Sequence, residues 1–314
     1  NIEQNNLYNG ELYKILGKIA ASPCADENLV KEVIAYLFDN ICKVKYPYML
    51  LEGLGWAGIS KHAYAKLKMD ICYLFLSLMN RKLPKNLLKK DKDSKVYEFN
   101  NKIDAYTELL PIVISSLERL GAADSTSISL RKIIVDHLLK KWNQLISYKI
   151  IWGPKNVLDI ATAMYTISQH PKINHRDKIT IARALFHKVD IFSITSILIS
   201  MFEKADCHEL TELAFQTATK LIEFYNTEEY NNIEDKEIIL RYIGQMAQLK
   251  SLASNKQTDS KIREKLLFTI FDGLKEQVVI VKNILIKLSR SEYLNKKLKK
   301  EIEKRLPKNN YNLV

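Results

Sequence analysis

The sequence predicts an all-α protein of antiparallel helix pairs stacked as an irregular α-solenoid. An irregular multi-helix bundle is the alternative. Three observations lead there. Apolar residues recur at helical spacing along most of the chain. Nine glycines and seven prolines in 314 residues are too few for a turn-rich β fold. Between residues 154 and 226, four helical patterns follow one another with linkers of a few residues, which makes neighbours antiparallel.

In order along the chain, Glu11 to Ala21 reads as a short helix, and Ser22-Pro23 opens a second with Val30, Val33, Ile34, Leu37 and Ile41 inward. Tyr46-Pro47 ends it. Gly53-Leu54-Gly55-Trp56-Ala57-Gly58 then matches G-x-G-x-x-G to the letter. A phosphate cradle needs a strand before that loop and a βαβ unit after it. Tyr48 to Leu51 is a poor strand and no βαβ unit follows, so a tight helix-to-helix turn with Trp56 plugging the core is expected. Ser60 to Met79 forms the next helix, its second half apolar nearly all round and therefore buried.

Arg81 to Lys95 carries seven basic residues against two acidic ones and holds Pro84. It reads as an exposed loop separating residues 1–95 from 96–314, although one continuous domain is also compatible. Tyr97 to Leu120 is helical, with a kink or break at Pro111 and Gly121 as its C′ residue. Ser125 to Ser127 restarts the chain toward Trp142 and Leu145.

Helices starting at 154, 174, 190 and 206 follow, opened by Pro154, Asn174, Asp190 and Asp206. Alternate starts lie 36 and 32 residues apart, close to two-helix repeat periods of roughly 33–47 and hence to HEAT/TPR-like geometry. A helix over about Ile233 to Leu252 comes next. Asp259 then opens an a/d pattern through Leu267, Phe271, Leu274, Val278, Val281, Leu285 and Leu288, a rod of roughly 45 Å if unbroken at Gly273. Ser291 opens a last helix with Leu294, Leu298 and Ile302 inward. Residues 287–308 hold nine Lys or Arg against three Glu.

The net charge of +12 is concentrated in those two basic segments. Lys85, Lys89, Lys90, Lys92, Lys296, Lys297, Lys299, Lys300, Lys304 and Arg305 are the candidates for an anionic partner, either RNA or an acidic membrane. Both segments lack the interleaved aromatics that stack bases. The composition is also rich in Lys, Asn and Ile, as an AT-rich coding bias would produce without any binding role.

The four cysteines form no CxxC and lie mainly in apolar helical surroundings, as in a soluble protein of a reducing compartment. No apolar run has membrane-spanning length. The chain opens on Asn1, and secretion into a host cell or a removed targeting segment stays compatible with it. The six histidines fit no zinc spacing. No nucleophile elbow, HExxH or P-loop occurs. The expectation is a non-enzymatic helical scaffold without cofactor, holding a protein or peptide partner on a concave surface.

Overall fold

The computed structural model describes residues 2–41, 47–80, 106–147, 154–187, 192–203, 208–225, 252–253, 258, 260–273 and 278–306. Every regular element among them is a helix: α1 Ile2–Ala21, α2 Glu27–Asn40, α3 Tyr48–Gly58, α4 Ala65–Met79, α5 Tyr106–Ala122, α6 Ile128–Ser147 and α7 Pro154–Ser168. Then come α8 His175–Phe186, α9 Phe192–Glu203, α10 His208–Tyr225, α11 Ser260–Gly273, α12 Val278–Ser289 and α13 Lys296–Arg305. The chain divides into two compact units, residues 1–177 and 178–314. The domain boundary expected after residue 95 lies outside the described residues, and across that point α4 packs on α5.

In the first unit α1 packs on α3, α3 on α5 and α5 on α7, which makes one layer. Each of α2, α4 and α6 packs both on the helix before it and on the one after it. The core between them is built from residues such as Ile34, Leu51, Leu54, Phe75, Leu117, Ile134, Trp142 and Met164, all fully buried or nearly so. In the second unit, contacts run from α9 to α10, α10 to α11, α11 to α12 and α12 to α13.

Glycines bring the first layer together. A Cβ on Gly17 would stand 2.1 Å from the Gly53 carbonyl oxygen, and one on Gly53 would stand 2.3 Å from that of Tyr13. No side chain can yield there, because the obstacle is backbone. Two expectations are corrected by this packing. The run from Gly53 to Gly58 is neither cradle nor turn: it lies inside α3, and Trp56 is half-exposed rather than plugging the core. Likewise Gly121 is not a C′ residue; it lies in α5, where a Cβ would meet Ile167 at 2.6 Å.

Helix starts also shift. Four connectors of the first unit share one pattern, at 22–26, 60–64, 123–127 and 170–174. The fourth residue of each (Ala25, Ala63, Thr126, Ile173) is buried and donates its N–H to the carbonyl of the first. Ser22 and Ser60 accept an N–H from two residues on, as Ser291 does in the second unit, and His170 uses Nδ1 the same way. The fifth residue ends the connector, and Asp26, Ser127, Asn174 and, in the second unit, Asn295 accept the N–H three residues on as N-caps. The second helix therefore starts at Glu27 rather than at Ser22-Pro23, α4 at Ala65 rather than Ser60, and α13 after Asn295 rather than Ser291. Asn174 is the cap the sequence predicted.

Pro111 lies within a single helix, α5. The a/d pattern falls on two described helices, α11 and α12, which pack on each other; residues 274–277 between them, Leu274 included, lie outside the described residues. Asp190, Asp206, Asp259 and most of 233–252 lie outside the described residues.

Candidate binding groove

Two buried cations fix how α4 and α6 lie. Lys68, in the first turn of α4, donates Nζ to the Ser125 carbonyl at 3.1 Å and to its hydroxyl at 2.5 Å. That hydroxyl in turn donates to the Ile59 carbonyl, tying one connector to the next. Burial, with the Arg131 charge nearby, lowers the Lys68 pKa to about 8. Arg131 occupies the same place in α6. Its Nε donates to the Gly121 carbonyl at 2.7 Å and Nη2 to that of Ala123. Burial lowers its pKa too, opposed by the Asp124 carboxylate. Nη2 also lies 2.9 Å from His170 Nε2, which is 3.0 Å from Asp124 Oδ1. His170 Nδ1 accepts the Lys172 N–H, so the neutral ring carries its proton on Nε2 and donates it to Asp124.

These ties put the starts of α4 and α6 at the same edge, so the two helices run parallel. They touch only lightly, and between them lies an open groove of about 520 Å³. Its walls are Tyr73, Leu76, Ser77 and Asn80 on α4 and His137, Lys140, Lys141 and Gln144 on α6. Both sets follow i, i+3, i+4, i+7, the spacing of one helix face.

Leu76 and Lys141 are buried, whereas Tyr73, Asn80, Lys140 and Gln144 are exposed; the Tyr73 side is 51% accessible. His137 Nδ1 donates to the Ile133 carbonyl at 2.8 Å, which leaves Nε2 as the ring's remaining hydrogen-bonding atom. Asn80 donates one amide hydrogen to the Leu76 carbonyl and keeps its oxygen. Among the described residues no carboxylate lines the groove. Ring, amides, hydroxyl and ammonium groups together can hold a polar, extended ligand.

The predicted site residues lie elsewhere. Lys85, Lys89, Lys90 and Lys92 fall outside the described residues. Lys296, Lys297, Lys299, Lys300, Lys304 and Arg305 share α13, whose Leu298 and Ile302 are buried. Three of the six are engaged at the surface: Lys297 with Glu264, and Lys304 and Arg305 with Glu301. Such exposed pairs contribute roughly 0–1 kcal/mol each. Among the described residues, no three His, Cys, Asp or Glu come together as metal ligands, and no helix is long and apolar enough to cross a membrane. Burial pushes the Cys72 thiol up to about 12, whereas Cys24 is exposed; Cys42 and Cys207 lie outside the described residues.

Sequence reasoning missed the groove because each wall alone reads as an ordinary polar helix face. The one available signal was the matching of Tyr73, Leu76, Ser77, Asn80 with His137, Lys140, Lys141, Gln144, each beginning nine or ten residues after a connector.

No family model and no curated protein matches the sequence. Among solved structures, a computationally designed self-assembling cyclic homooligomer aligns with 89% of this chain and 93% of its own, at 14% identity. Its TM-score is 0.22, too slight a likeness to carry any argument about fold or assembly.

Proposed function

We propose that the chain is a non-enzymatic scaffold of stacked helix pairs, an irregular α-solenoid, and that it holds a protein or peptide partner. The recurring connectors and their buried cations support the stacking. The observation that carries the binding reading is the groove between α4 and α6, which two parallel helices leave open with polar side chains on both walls. A surface of that kind suits an extended segment held at several points.

The test is hydrogen exchange on the full chain with a peptide selected from a random library. Slowed exchange over residues 73–80 and 137–144 is expected. A footprint elsewhere, or no selectable peptide, sinks the reading.

A second reading is favoured by α13, where Lys296 and Lys300 are exposed beside the paired Lys297, Lys304 and Arg305. There the helix docks on RNA or an anionic membrane. A mobility shift or liposome co-sedimentation that falls steeply with salt supports it, and no retention at low salt removes it.

A further inference from the structure

We infer that the exposed face of α1 is where two copies of this chain meet, as an antiparallel pair of α1 helices about a two-fold axis. The inference does not rest on the α4–α6 groove. Leu12, Ile15 and Ile19 are 46%, 49% and 45% accessible, and among the described residues only α1 exposes more than one leucine or isoleucine. Their spacing, three residues and then four, puts them on one stripe, the a/d seam of a paired helix. Glu11 and Lys18, both exposed, lie seven residues apart on one flank of that stripe. On the opposite side of the helix Gly17 and Ala20 are buried, where α1 rests on the Gly53 backbone.

The layout of the face selects a second copy as its occupant. When two helices pair antiparallel, like flanks face each other; when they pair parallel, opposite flanks do. In the antiparallel register with Ile15 on the axis, Leu12 lies opposite Ile19 of the second copy and Glu11 opposite its Lys18. The two-fold axis repeats each pairing, so the face is complementary to itself in both shape of stripe and sign of charge. A parallel pairing would instead set Glu11 and Lys18 against Asn9 and Leu16, a flank without charge. Lys14 is engaged with Glu52 on α3, which leaves Lys18 as the cation of this face.

A lipid surface is the competing partner for an apolar stripe on a helix, and the charges disfavour it. Helices that lie in a membrane interface are rich in lysine and arginine around the apolar face. Here one of the two flank charges is the Glu11 carboxylate, which an anionic headgroup repels and a lysine of a second copy attracts. One 20-residue helix from each copy makes a contact smaller than a standard protein interface. A dissociation constant on the order of 10 μM is therefore expected.

The experiment is sedimentation velocity on the full chain over about 1–200 μM. Wild type is expected to pass from monomer to dimer across that range. Glu11→Lys and Lys18→Glu should each weaken the association at least about tenfold, because each sets two like-charge pairs across the axis. Both side chains are exposed, so thermal melts of the variants are expected to match wild type. An equimolar mixture of the two variants should recover the dimer, since a chain with lysine at both positions then faces one with glutamate at both. A wild type that stays monomeric throughout overturns the inference, and flotation of that monomer with phosphatidylserine vesicles would assign the face to lipid. Dimers indifferent to both substitutions, or a mixture that fails to recover them, would overturn it too, by placing the contact on another face or turning the helices parallel. None of these outcomes bears on the groove.

Discussion

The two sides of the first unit use the same kind of helix pair to opposite ends. On one side α1, α3, α5 and α7 close on each other through glycines, and their outer surface is laced together. Lys14 lies 3.2 Å from Glu52, Arg119 reaches the same carboxylate at 3.9 Å, and Arg119 and Lys18 both stand over the Trp56 ring. On the other side α4 and α6 touch lightly and leave eight side chains around open space. The difference comes from residue size at the crossing. Glycine admits backbone to backbone on one side; residues 73–80 and 137–144, which line the other, hold no glycine. One layer closes backbone on backbone; the other leaves a groove.

The sharpest way to break that contrast is Gly17→Ala. Its new methyl meets a carbonyl that cannot turn aside, so α1 must lift from α3. A loss of about 3 kcal/mol is expected even after alanine's better helix propensity is counted. Urea unfolding followed by tryptophan fluorescence checks it, because all three tryptophans lie in residues 1–177. A midpoint at or above wild type would remove the close-approach account.

Next in size is Arg131→Met, which leaves the Gly121 and Ala123 carbonyls without their guanidinium. About 2–3 kcal/mol of lost stability is expected by the same assay. If the loss were under 0.5 kcal/mol, the connectors would not depend on this tie.

Lys68 sharpens the point through pH. Its folded pKa, about 8, lies below the ordinary 10.5, so between those values the unfolded chain binds more protons than the folded one. Stability from this group therefore rises as pH goes from about 8 to 10.5, whereas Lys68→Met lacks the rise. The difference in unfolding free energy should move toward wild type by about 2 kcal/mol between pH 7.5 and 10. A constant difference would mean the ammonium is not buried in solution.

The smallest effect belongs to the open side. Ser77→Ala and Lys140→Ala should each stay within about 0.5 kcal/mol of wild type, as surface changes do. A larger loss would show that the groove walls pack on something within the chain.

Much of this was legible in advance, and the failures share a cause. Helix content, the stripe of Val30, Val33, Ile34 and Leu37, and the Asn174 cap follow from local periodicity and local hydrogen bonding. The connectors did not, because different residues fill the same role. Ser22, Ser60 and Ser291 accept with a hydroxyl where His170 accepts with a ring nitrogen, and Ala25, Ala63, Thr126 and Ile173 share a place only in being buried. Glycines in a helix misled for a related reason. Gly53 and Gly121 read as turn formers until the partner helix is known, since close approach is a property of two segments rather than one. The groove was hidden in the same way, as neither wall announces the other.

The buried cations at Lys68 and Arg131 have one more effect. They fasten neighbouring helix pairs along a single edge, like pages held at a spine. Were one pair to flex against the next, it would pivot at that edge and the displacement would grow with distance from it. Asn80 and Gln144, farthest from the fastening, would then move most, and the root of the opening least.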